Sequence, residues 1–136
     1  MNVDINWLAV VLAAVSSMVV GSLWYMPSTF GNTWMKLAKV KPDRSKMTPG
    51  KMAWMYGSVF LASLVTAYIL AHVTFLAHNF FGNSYLSDAI QTAVWLWLAF
   101  TAARLYVHDT FEERRKMLTL LNSAHELVTV VVMAVI

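Results

Sequence analysis

Residues 36–51 read KLAKVKPDRSKMTPGK and hold six of the chain's ten Lys and Arg residues. The sequence on either side is apolar and almost free of charge. The other four, Arg104, Arg114, Arg115 and Lys116, gather around a second junction further along the chain. Positive charge confined to alternate connections between long apolar runs is the pattern of an integral membrane protein. The charged loops of such a protein face the cytoplasm. Working outward from residues 36–51, the apolar runs cover about residues 5–26, 52–78, 87–107 and 117–136, each near the roughly 20 helical residues that span a bilayer core. The predicted fold is all-α, with residues 1–136 forming one transmembrane domain. It is an integral membrane four-helix bundle in the cell membrane, with both termini on the non-cytoplasmic side.

Composition supports this class. Only 12% of the residues are charged and 59% are hydrophobic, against about 25% charged in a soluble domain. Mean hydropathy is +0.58. The net charge of +3 comes from the two loops, so it speaks for anionic lipid head groups and against nucleic acid. The chain has no cysteine, which excludes disulfides, thiolate metal sites and cysteine nucleophiles. Met1 to Asp4 lack the positive charge of a signal peptide, and the first apolar run is too long for one, so it reads as a retained helix.

Local signals mark the helix ends. Pro27 stops the first run. Thr48-Pro49 is an N-cap followed by proline at the first helical position, and Gly82, Asn83 and Ser84 mark a turn. Within the first loop, Phe30, Trp34, Leu37 and Ala38 recur at helical spacing beside Lys36, Lys39 and Lys41. That pattern predicts a short amphipathic helix in the membrane interface. Ala9, Ala13, Ser17 and Gly21 repeat every fourth residue, as do Ser63, Ala67 and Ala71, and such seams let helix backbones approach closely.

The candidate site is a polar stripe on the fourth run: Thr119, Asn122, His125, Glu126 and Thr129. At about 1.5 Å per residue Glu126 lies roughly 13 Å from Met117, near the bilayer midplane. A charge there costs about 2.5–3.5 kcal/mol. The acid is therefore expected to face the bundle interior in neutral form, hydrogen-bonded by groups at its own level. The same depth count brings Ser17 and Ser63 to that level, and Arg104 either reaches inward or snorkels to phosphates. The predicted polar intramembrane pocket comprises Glu126, Asn122, His125, Ser17, Ser63 and Arg104. His72 and His125 differ by about 15 Å in depth, which argues against a bis-histidine haem. His72 is expected to bond locally, four residues after Tyr68. His78 and His108 read as interfacial, and Asp109, Glu112 and Glu113 beside Arg114 and Arg115 read as a solvated charged turn. No phosphate loop, nucleophile elbow or metalloprotease motif occurs, so neither a cofactor nor a catalytic residue is predicted.

The segment Gly21-Ser22-Leu23-Trp24-Tyr25-Met26-Pro27, followed by Phe30-Gly31 and Trp34, resembles the opening signature of a bacterial membrane family, a domain of unknown function numbered 1761. Phe111-Glu112-Glu113-Arg114, ahead of Leu118-Thr119-Leu120-Leu121-Asn122, is similar to that family's C-terminal part. The resemblance covers essentially the whole chain. It implies four membrane helices and no particular activity.

Three functions fit these residues. The leading one is a small membrane protein, oligomeric in its cavity, that binds or passes a proton or small solute near Glu126. The second is a non-catalytic accessory subunit of a larger membrane complex. The third is a membrane enzyme acting on lipid, for which the interface supplies few polar groups. Expected partners are membrane lipids and either further copies of the chain or a larger complex.

Overall fold

The computed structural model describes residues 3–41 and 47–136. Arg44 and Lys46 of the first basic stretch lie outside the described residues, as do Met1 and Asn2. The elements in order are α1 (Trp7–Trp24), α2 (Gly31–Ala38), α3 (Pro49–Phe81), α4 (Tyr85–Leu96), a π-helical turn (Trp97–Ala102), α5 (Ala103–Phe111) and α6 (Lys116–Val135). The segment from α4 through α5 runs on as one rod, Tyr85–Phe111. With α1, α3 and α6 it makes four helical rods long and apolar enough to cross a membrane. The described residues contain no strand.

Short polar side chains set the helix boundaries. The Asn6 carboxamide oxygen accepts from the Leu8 and Ala9 amides and opens α1. Thr48 does the same for the Lys51 amide, with Pro49 at the first position of α3, and Ser84 for the Ser87 amide at α4. Helix α3 closes on Gly82 in the left-handed region, φ 66°, whose amide reaches the His78 carbonyl. After α1 the chain folds back through a turn in which the Thr29 hydroxyl donates to the Leu23 carbonyl at 2.6 Å. The Gly31 amide bonds the Met26 carbonyl at 2.9 Å. A side chain at Gly31 would collide with the Tyr25 carbonyl oxygen, so only glycine lets α2 start there. The amphipathic segment thus becomes a helix that packs across the start of α6.

The rods form a closed ring in which α1 and α4 each pack on both α3 and α6. Val10, Ala13, Ala67, Leu70, Ala93 and Met133 make the buried cluster, which lies toward the end carrying the two termini. Alanine dominates where backbones approach, because lipid supplies no hydrophobic drive and association depends on close packing. Both predicted seams take part. Ala13, Ser17 and Ala67 are buried, and Ala9, Gly21, Ser63 and Ala71 are half-buried. The opposite, basic-loop end is looser. Helix α3 has 33 residues, about 50 Å of helix against a core of about 30 Å. Every residue from Met47 to Val59 is exposed.

The third rod departs from the sequence pattern. At about 100° per residue, Phe100, Ala103 and Val107 would follow Ala93 and Leu96 into the bundle. All three are exposed instead, while Leu105 turns partly inward and Asp109 is buried. The wider π-helical turn between them rotates the inward face. This corrects the reading of Asp109 as part of a solvated turn. It is 5% exposed, accepts from the Thr119 hydroxyl at 2.6 Å, and has Arg114 Nε at 3.7 Å. The remainder of that turn is exposed, with Arg114 Nε at 2.6 Å from Glu112.

Candidate functional site

Helix α6 presents the polar stripe to its neighbours, and each residue meets a different partner. Asn122 accepts from the Trp34 indole at 3.1 Å and has the Tyr25 hydroxyl at 3.5 Å, which ties α2 and the end of α1 to α6. One turn on, the His125 ring sits against Tyr25 and Trp24, with ring centres 4.9 and 5.8 Å away. Its side chain is only 13% exposed. Gly21 lies against it, where a Cβ would make an ordinary van der Waals contact at 3.6 Å from His125 Nε2.

Both imidazole nitrogens face polar groups. Nε2 lies 3.5 Å from the Thr129 hydroxyl, which donates its one proton to the His125 carbonyl at 2.9 Å. Nδ1 lies 3.4 Å from Glu126 Oε1. An Nδ1–H tautomer of the imidazole would donate toward the carboxyl oxygen, and an Nε2–H tautomer toward Thr129.

Glu126 stands on the side of α6 opposite Met117, Val128 and Val135, at about 100° per residue; those three are exposed and form the outer face. Its side chain is 44% exposed.

The other predicted pocket residues are dispersed. The Ser17 hydroxyl donates to Ser63 at 2.8 Å across α1 and α3, one helical turn from Gly21, and Ser63 donates on to the Val59 carbonyl at 3.0 Å. Neither bonds Glu126. Arg104 is exposed on α5 and makes no ion pair with Glu126 among the described residues. The structure therefore brings Asn122, His125 and Glu126 together, holds Ser17 and Ser63 as a second pair, and leaves Arg104 apart.

Aromatic walls are what the sequence reading missed. Trp24 and Tyr25 line His125 and Trp34 lines Asn122, contacts that residue spacing does not encode. The Trp24 indole N–H is buried without a hydrogen-bond partner among the described residues. Trp97, inside the π-helical turn, donates to the Ser123 carbonyl at 2.9 Å and pins α6 from the other side. A second polar cluster lies at the terminal end. Buried Asp88 receives Asn83 at 2.9 Å and faces His78 Nδ1 at 3.1 Å, so His78 is more than interfacial. His72 contacts the Tyr68 carbonyl at 3.0 Å. No group of three metal-ligating side chains occurs among the described residues.

The residues carrying the family resemblance, Gly21 to Trp34 and Leu118 to Asn122, are the ones that build this corner of the bundle. No curated protein and no solved structure matches the chain. One family model does, described as "Protein of unknown function (DUF1761)", over residues 8–136. The protein belongs to that family.

Proposed function

We propose that this membrane protein binds a proton at the His125–Glu126 pair and passes it across the bilayer. The observation that carries this reading is the 3.4 Å approach of His125 Nδ1 to Glu126 Oε1, which sets two groups able to carry a proton side by side on α6. Intramembrane acids and histidines paired in this way form proton relays in transport proteins. The exposed part of the Glu126 side chain gives protons a way in, which this reading places on the basic-loop half. By the positive-inside rule that half faces the cytoplasm, with both termini outside. Trp24 and Tyr25 cover the His125 ring, and Trp34 holds Asn122 one turn away.

The test is proton flux into liposomes that hold a pH-sensitive dye. The wild-type protein should dissipate an imposed pH gradient, and Glu126→Gln, which keeps shape but removes the acid, should run at the rate of empty vesicles. A Glu126→Gln variant as fast as wild type would sink the reading.

One observation favours the accessory-subunit reading: the unpacked start of α3, where Trp54 is 79% exposed on a stretch extending past the bundle. A larger partner, or a second copy of the chain, would cover it. Co-purification with a stoichiometric partner, without flux, would favour that reading.

A further inference from the structure

The terminal end of the bundle holds a cavity of about 290 Å³ whose walls include Asp4, Asn6, Ala71, Thr74 and Tyr85. Its floor is made of Val10, Ala13, Ala67, Leu70 and Met133, all members of the buried apolar cluster. Beneath that floor the polar groups resume. Thr129, one turn below Met133, touches His125. Ser17, one turn below Ala13, is bonded to Ser63. One helical turn is about 5.4 Å, so a single apolar layer separates the cavity from the polar column. Thr74 is 3% exposed and lines the cavity. A water claims about 30 Å³ and two or more polar partners, so this cavity has both the room and the lining for several.

Resting on the proton-passing reading, we infer that this cavity is the second mouth of the same path, a hydrated vestibule for protons. The layer of Val10, Ala13, Ala67 and Met133 is its gate. Hydrophobic constrictions of this kind block conduction by excluding water. On this reading protons reach Glu126 from the basic-loop end, and the apolar layer closes the path from the terminal end.

Two measurements test this separately from the function itself. The chain has no cysteine, so Thr74→Cys introduces a unique thiol. A membrane-impermeant thiol reagent should label it from the terminal side in liposomes whether or not the protein conducts. No labelling in the folded protein would overturn the vestibule. The gate is tested by Met133→Ser, which thins and wets the layer. It should raise proton flux several-fold over wild type, and adding Glu126→Gln should remove that increase. A folded Met133→Ser protein with unchanged flux would overturn the gate, and so would a leak that survives Glu126→Gln. Labelling at Thr74→Cys with no flux from any variant would remove the proton-passing reading and leave the hydrated vestibule standing.

Discussion

Trp34 of α2 donates its indole N–H to the side-chain oxygen of Asn122 on α6 at 3.1 Å. Residues 88 positions apart are joined by this bond, and it docks the short helix against the fourth span. Asn122→Leu should therefore loosen α2 and leave the indole unsatisfied, at a cost of about 1–3 kcal/mol. Thermal unfolding in detergent of Asn122→Leu, Trp34→Phe and the double variant would measure the coupling. Strictly additive losses would mean that the bond contributes nothing.

Gly31 sits where any side chain would meet the Tyr25 carbonyl. Gly31→Ala is expected to destabilise the protein by about 1–3 kcal/mol, the cost of overfilling a packed site. The change should also move the Tyr25 ring away from His125. Gly50→Ala, where a Cβ meets open space, serves as the control. Equal melting temperatures for the two variants would contradict the packing of this turn.

The π-helical turn directs Asp109 to Thr119, with the hydroxyl donating at 2.6 Å. Thr119→Val keeps the shape and removes the donor, and should cost about 1.5–3 kcal/mol, the range for a bond to a charged group. Deleting Ala99 should convert the turn to regular α-helix and rotate Asp109 away. In that background Thr119→Val should have no further effect on stability. A full Thr119→Val loss in the deletion variant would show that the turn does not set this contact.

Ala13 is 4% exposed between α1 and its neighbours. Ala13→Leu should overfill the seam and cost about 1–3 kcal/mol. Ser17→Ala should cost less, since hydrogen bonds between membrane helices average about 0.6 kcal/mol. Unchanged thermal stability of Ala13→Leu would place the seam against lipid.

Orientation is tested by single cysteines in this cysteine-free chain. Phe81→Cys, at the exposed last residue of α3, should react with an impermeant reagent added to intact cells, and Glu113→Cys should not. The reverse pattern would invert the topology.

The sequence alone determined the class of molecule and its architecture: four apolar spans, alternating basic loops, a short helix between the first two, and helix ends marked by Thr48-Pro49 and Gly82. These follow from local chemistry, because a span must be apolar along its length and a cap must offer an oxygen or a left-handed residue. The polar stripe on the fourth span was legible for the same reason, since helical periodicity places Asn122, His125 and Glu126 on adjoining faces. Only the tertiary structure decided what each residue meets. Gly21 against His125, Trp34 against Asn122 and Ser17 against Ser63 are contacts between distant segments, and no spacing encodes them. Asp109 shows the physical reason most directly. One wide turn between Trp97 and Ala102 rotates everything that follows it, so a residue with the local signature of a solvated loop becomes a buried hydrogen-bond acceptor.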